Sequence, residues 1–187
     1  GFYSAQDADS EGEEGRYFVW GLGEIQDVLG LEDGALLSRY FGVAECGNFD
    51  GKNILHLPDT PESVAQMAGL SMEQLRASVD YGKKRLLAVR DRRVPPGLDD
   101  KVLTAWNGMM LRSFAEAAGV LQQERYRNAA IANASFLLEH LLQDGRLLRS
   151  YKNGVAKGKG FLEDYANLID GLLTLHEATF EPRWLEK

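Results

Sequence analysis

From Asp100 to about Thr179, apolar residues keep returning at the three- and four-residue spacing of a helix, and this periodicity limits the fold more than any other feature of the chain. Val102, Trp106, Met109, Met110 and Phe114 trace one stripe up to about Gly119. Tyr126, Ala130, Ala134, Leu137, Leu138 and Leu141 trace a second, and Ile169, Leu172, Leu173 and His176 run along a helix predicted from Leu162 to about Thr179. Between them, a turn at Asp144-Gly145 and a stretch carrying Gly154, Gly158 and Gly160 predict a hairpin or long loop. Helices of this kind bury their stripes against one another as antiparallel pairs. The expected class is therefore mainly α with short β-hairpin insertions.

The first 97 residues are more broken. Phe2-Tyr3 and Tyr17-Phe18-Val19-Trp20 read as two short strands, with Asp7 to Gly15 as the acidic loop between them. Asp7, Asp9, Glu11 and Gly12 match the front half of a calcium-binding loop, but position twelve is Phe18 where that loop needs a bidentate Glu. A solvated hairpin tip or the rim of a polar cleft fits better. Short helices are expected from Gly21 to Leu29, stopped by Gly30, and from Asp33 to Phe41, stopped by Gly42. A polar loop follows, with a short strand expected at Ile54 to Leu57. Thr60 caps a helix that has Pro61 in its first position, and Ser71 with Gln74 has the spacing of a capping box. The helix after Ser71 should run to about Val89 on Leu75, Val79, Leu86 and Val89, with an interruption near Gly82. Pro95, Pro96 and Gly97 then exclude further helix.

After that turn stand two adjacent carboxylates, Asp99 and Asp100, where the periodicity predicts a helix N-terminus. One role for them is to cap backbone N–H groups and meet the positive end of the helix dipole. Another is acid–base work, and in glycoside hydrolysis this needs two carboxyl groups roughly 5 to 9.5 Å apart. Adjacent helical residues diverge by about 100°, so a working pair would combine one of them with Asp7, Asp9, Glu163 or Asp164. The candidate catalytic residues are Asp99, Asp100, Asp7 and Asp9. Candidate substrate-binding residues are Trp106, Trp20, Tyr3 and Tyr165, whose rings suit sugar faces, with the polar side chains of Asn107, Lys101, His56 and Asp164. Asn107-Gly108 is a poor helix-forming step and marks close packing or a site. Lys101 reads as a base or an ion-pair partner, and His56 as a base or a structural histidine.

Other classes are disfavoured. A net charge of -7 repels nucleic acid phosphates and anionic lipid. No apolar run is long enough to span a membrane and no signal peptide is visible, so a cytoplasmic setting is expected, in keeping with the lone Cys46. Three dispersed histidines and one cysteine give no metal constellation, and the Gly-Lys-Gly at residues 158–160 lacks the order of a phosphate-binding loop, so no cofactor is expected. The chain opens on Gly-Phe-Tyr with no initiating Met, which suggests a processed chain or a fragment.

Several long motifs carry a resemblance across essentially the whole chain. Ser-Ala-Gln-Asp-Ala-Asp-Ser-Glu-Gly from Ser4, Gly-Asn-Phe-Asp-Gly-Lys-Asn-Ile-Leu-His from Gly47, Leu-Asp-Asp-Lys-Val-Leu-Thr-Ala-Trp-Asn-Gly-Met-Met from Leu98 and Gly-Phe-Leu-Glu-Asp-Tyr-Ala from Gly160 resemble the spermatogenesis-associated, thioredoxin-domain-containing protein family. The resemblance implies a longer protein with an N-terminal thioredoxin-like domain followed by an (α/α)6 toroid related in fold to the six-hairpin glycosidases. Residues 1–187 would be a fragment of that one toroid domain, without the thioredoxin-like domain. It also implies Asp7, Asp9, Glu11, Asn48, Lys52, Asn53, His56, Asp99, Asp100, Lys101, Trp106, Asn107, Asp164 and Tyr165 as motif positions, without roles.

Two functions follow as expectations. One is a carbohydrate-binding or carbohydrate-processing toroid with a small-molecule carbohydrate as partner. The other is a non-catalytic helical scaffold that positions the thioredoxin-like domain, its intramolecular partner.

Overall fold

The computed structural model describes residues 1–186. In chain order it forms β1 (Ala5–Gln6), β2 (Asp9–Ser10), β3 (Glu13–Glu14), α1 (Leu22–Leu29), α2 (Leu31–Tyr40), α3 (Pro61–Ala68), α4 (Met72–Arg90), β4 (Leu98–Asp99), β5 (Val102–Leu103), α5 (Thr104–Leu121), α6 (Glu124–His140), β6 (Leu142–Gln143), β7 (Arg146–Lys152), β8 (Val155–Lys159), α7 (Leu162–Thr179) and a 3-10 turn at Pro182–Trp184. The chain is mainly α-helical with short β-hairpins, as its periodicity predicts. Packing divides it into two compact units. The first unit is Asp7–Gly97; the second is Gly1–Gln6 together with the chain from Leu98 onward.

In the first unit the helix boundaries obey their local signals. Thr60 Oγ1 accepts from the Ser63 N–H at 3.3 Å with Pro61 in the first turn of α3. Ser71 and Gln74 form the reciprocal capping box, at 3.2 and 2.8 Å. Trp20, Ile25, Leu37 and Leu86 make one core, and Val64, Ala65, Leu75 and Val79 another. The interruption at Gly82 is a close approach, because a Cβ there would collide with Leu37 Cδ2.

Two strand expectations fail in this half of the chain. The acidic stretch is not a loop between aromatic strands but is itself a hairpin, with Ser10 opposite Glu13. Glu11 and Gly12, both at positive φ, close it in the backbone that two-residue hairpin turns require. The strand expected at Ile54 to Leu57 is absent. In its place Asn53 makes a single antiparallel bridge to Trp20, while the Asn48 side chain occupies both backbone groups of Ile54.

The second unit is built on α5, α6 and α7. Val102, Leu111, Ala115, Ala134, Leu137, Leu168, Leu172 and Leu175 lie in one core, flanked by the β5–β7 pairing and the β7–β8 hairpin. Helices α5 and α7 lie side by side and run the same way. Ala105 meets Asp164, Gly108 meets Asn167 and Gly171, and Arg112 meets Asp170. Helix α6 is the return between them.

The expected stripe of α6 is buried at Ala130, Ala134, Leu137 and Leu141, but those of α5 and α7 are displaced. Val102 is buried in a strand, and Trp106, Met109 and Met110 are exposed, whereas Ala105, Asn107, Gly108, Leu111 and Ala115 are buried. On α7 the buried residues are Asp164, Leu168, Gly171, Leu172 and Leu175, while Ile169 and Leu173 are exposed. The reason is the depth of the helix contact. A Cβ on Gly108 would stand 2.6 Å from the Asn167 carbonyl carbon, and one on Gly171 would stand 2.7 Å from the Gly108 oxygen. Backbones this close admit only small residues where they touch, so Gly108 and Gly171 occupy the contact while Leu111, Leu168, Leu172 and Leu175 fill the core beside it.

Candidate functional site

The acid pair does not cap a helix. Val102 pairs with Tyr151 and Leu103 with Ser150, which delays the start of α5 to Thr104, and this register brings Lys152 to the acids. Lys152 Nζ lies 2.6 Å from Asp100 Oδ1 and 4.0 Å from Asp99 Oδ1, while Lys101 Nζ lies 3.0 Å from Asp99 Oδ2. Of Lys101's two expected roles, the geometry shows the ion pair. The hydrogen bond from the Lys101 ammonium holds the Asp99 carboxyl below its ordinary value, and the bond to Asp100 holds the Lys152 ammonium above its own. Two carboxylates and two ammonium groups therefore form a neutral, half-exposed cluster. The Asp99 backbone is fixed from the other side, where its carbonyl accepts from the Ser4 N–H and hydroxyl.

The cap that α5 needs comes from Asp164. Its Oδ1 accepts from the Ala105 N–H at 3.0 Å and its Oδ2 from the Phe161 N–H at 2.8 Å. One carboxylate, 1% exposed, thus serves the starts of both α5 and α7. Arg149 Nη1 stands 3.4 Å from it and 2.8 Å from Glu163, with the guanidinium 4.5 Å from the Phe161 ring centroid.

Asn107 is buried in the same manner. Its Oδ1 accepts from the Phe2 N–H at 2.7 Å, and its Nδ2 donates to the Phe2 and Leu103 carbonyls, both at 3.0 Å. The side chain sews residues 2–3 onto α5. The Tyr165 hydroxyl accepts from the Leu147 N–H at 3.0 Å. Trp106 and Tyr3 keep their rings in solvent.

The other candidates belong to the first unit. Asp7 Oδ1 accepts from the Asp9 N–H at 3.2 Å, and the Asp7 N–H donates to the Gly97 carbonyl at 2.7 Å. Trp20 is buried under the Arg93 guanidinium, 4.1 Å from its ring centroid. His56 is exposed, with Nδ1 3.4 Å from Asn48 Nδ2. Asn53 is buried; its Nδ2 donates to the Trp20 and Ala44 carbonyls and its Oδ1 accepts from the Ala44 N–H.

Sequence reasoning missed two features of this unit. Arg93, just beyond the end of α4, donates to the Tyr17 and Val19 carbonyls at 2.7 and 2.9 Å and pairs with Glu24 at 2.6 Å. No local signal betrays it, because its carbonyl partners lie more than seventy residues away. The second is a pair of adjoining cavities of about 610 and 380 Å³, which share Arg16, Val19 and Lys52. The rim of a polar cleft expected at the acidic stretch is here, formed by Glu11, Glu13 and Glu14.

With this geometry in hand, comparison with known proteins identifies relatives. Human spermatogenesis-associated protein 20 is 38% identical over 221 positions that take in the whole of this chain. The chain is homologous to spermatogenesis-associated protein 20. The rat protein of the same name is 36% identical over the same length, and an uncharacterized protein of Caenorhabditis elegans is 30% identical over 218 positions. The chain spans about 28% of the human and rat proteins and 30% of the worm protein. Because 221 positions align to 187 residues, the human relative has segments within this span that the chain lacks. No family model matches the chain.

Proposed function

We propose that this chain is a structural section of a longer protein, a helical scaffold whose motif residues lock its elements together and whose open helix flanks receive further helices of the same polypeptide. One observation carries the reading: Asp164, Asn107 and Asn53, all motif positions, are buried and hydrogen-bonded to backbone groups brought from elsewhere in their own unit. Leu162, Ile169 and Leu173 form an exposed apolar stripe on α7, and Trp106 and Met110 form one on α5. Solvent is a costly neighbour for such surfaces. Relatives more than three times as long as this chain have ample polypeptide to cover them. In this reading the helices are a sector of an (α/α)6 toroid, in which α5 and α7 would be neighbours in one ring. A thioredoxin-like domain of the same protein would be the module that the scaffold positions.

Thiol labelling tests this. On a Cys46→Ser background, Leu173→Cys should react rapidly in this chain and slowly in the full-length protein. Equal reactivity in both would mean that no further segment covers the flank.

A carbohydrate-binding toroid is the second reading. It is favoured by the exposed Trp106 and Tyr3 rings, with Asp100 and Lys101 as polar groups in the same unit. Saturable binding of an oligosaccharide that Trp106→Ala abolishes, with the fold intact, would move the conclusion to it.

A further inference from the structure

The adjoining cavities of the first unit are framed by two tight hairpins. One is β2–β3. The other runs from Phe49 to Lys52, which exchange backbone hydrogen bonds of 2.9 and 3.0 Å around Asp50 and Gly51, both at positive φ. The Phe49 ring lies against Gly15, where a Cβ would be 3.2 Å from it, and gives the larger cavity one apolar wall. These walls are fixed from behind. Ser10 donates its hydroxyl to the Val94 carbonyl at 2.6 Å, and Asn53 holds Trp20 and Ala44. The volumes fall within the range of about 300–1,000 Å³ usual for small-molecule sites.

The charges divide into committed and uncommitted groups. Arg16 is held by Glu11 at 3.1 Å and Glu13 at 2.8 Å, and Arg93 by Glu24. Those five side chains belong to the frame. Glu14 and Asp50 line the larger cavity, Arg92 lines the smaller, and Lys52 lines both. Among the described residues none of these four makes an ion pair or a side-chain hydrogen bond, although each lines a cavity that also holds groups of opposite sign. The uncommitted acids thus sit in one compartment, and the uncommitted bases in the other or on the shared wall.

A simple anion drawn to Lys52 and Arg92 would meet the field of Glu14 and Asp50, and a simple cation would meet the reverse. A molecule that carries both signs satisfies the two compartments at once. We infer that this cleft binds a small zwitterion, with its ammonium group toward Glu14 and Asp50 and its phosphate or carboxylate against Lys52 and Arg92. Preformed hairpin walls lower the ordering cost of such binding.

The test is a titration of the 187-residue chain, by calorimetry and amide chemical shifts, with two zwitterions, glucosamine 6-phosphate and phosphoethanolamine, beside glucose 6-phosphate and glucosamine. The expected result is saturable binding of at least one zwitterion. The matching single-charge probes should bind at least about tenfold more weakly, and the shifts should centre on Glu14, Asp50 and Lys52. Lys52→Met and Arg92→Met should each weaken zwitterion binding about tenfold. The double change Glu14→Gln with Asp50→Asn should erase the preference over glucose 6-phosphate. Thermal melts of these surface variants confirm that each is folded. Absence of saturable binding of both zwitterions by the folded chain overturns the inference. So do equal affinity for glucose 6-phosphate and indifference to the four substitutions.

Discussion

In the second unit Asp164 commits both carboxylate oxygens to the backbone N–H groups of Ala105 and Phe161, whereas in the first unit Glu14 and Asp50 line a cavity with no partner among the described residues. The contrast follows from solvent. A buried carboxylate must be satisfied by the protein, and at 1% exposure Asp164 is closed to a ligand from solvent. An exposed one is satisfied by water and can exchange that water for a substrate. The buried motif residues Asp164, Asn107 and Asn53 thus have their polar atoms committed to backbone groups, whereas Glu14, Asp50 and Lys52 line the cleft without such partners among the described residues.

Four substitutions or conditions break or sharpen this comparison. Asp164→Ala leaves two helix-starting N–H groups without acceptors and should lower stability by about 3 kcal/mol in chemical denaturation. A loss below about 1 kcal/mol would put Asp164 in the same class as the cleft acids. Gly108→Ala drives a methyl group into the Asn167 backbone and should cost about 2 kcal/mol, despite the better helix propensity of alanine. Retained stability would mean that the α5–α7 seam is looser than 2.6 Å implies. Glu14→Gln should change stability by less than about 0.5 kcal/mol, because the side chain is exposed and makes no ion pair or hydrogen bond among the described residues.

The smallest effect concerns pH. Asp99 has a lowered folded value, so its contribution is fully present above the unfolded carboxylate value of about 3.9 and is lost as pH falls through the folded value. Lys152 has a raised value, so its contribution is present below about 10.4 and is lost as pH rises through the folded value. Both contributions should vanish together in Asp99→Asn/Asp100→Asn, flattening the two ends of a melting-temperature profile. An unchanged profile would remove the ion cluster from the account.

How much was legible in the sequence depended on whether the controlling interaction was local. The caps at Thr60 and Ser71, the turn at Asp144-Gly145 and the span of α7 from Leu162 to Thr179 were readable, because each is decided within a few residues. The buried face of α5 was not. Apolar periodicity pointed to Trp106, Met109 and Met110, but the direction of the face is set by backbone contact with α7 some sixty residues later. The ion-pair setting of Asp99 and Asp100 was not legible for a similar reason: the strand pairing that delays α5 involves Tyr151 and Ser150, and the lysine that meets Asp100 follows them. Asn107-Gly108 was rightly marked as unusual for a helix, and the close-packing half of that reading is what the seam displays. The cleft left only a hint, because its walls come from two hairpins and the residues after α4.

Amide hydrogen exchange of the unmodified chain tests the central claim most directly. If Asp164 ties the starts of α5 and α7 as a buried architectural carboxylate, the Ala105 and Phe161 N–H groups should exchange only through large-scale unfolding of the second unit, far more slowly than the exposed Lys101 N–H. Exchange of Ala105 and Phe161 at the rate of Lys101 would contradict the account and return Asp164 to the residues available for a ligand.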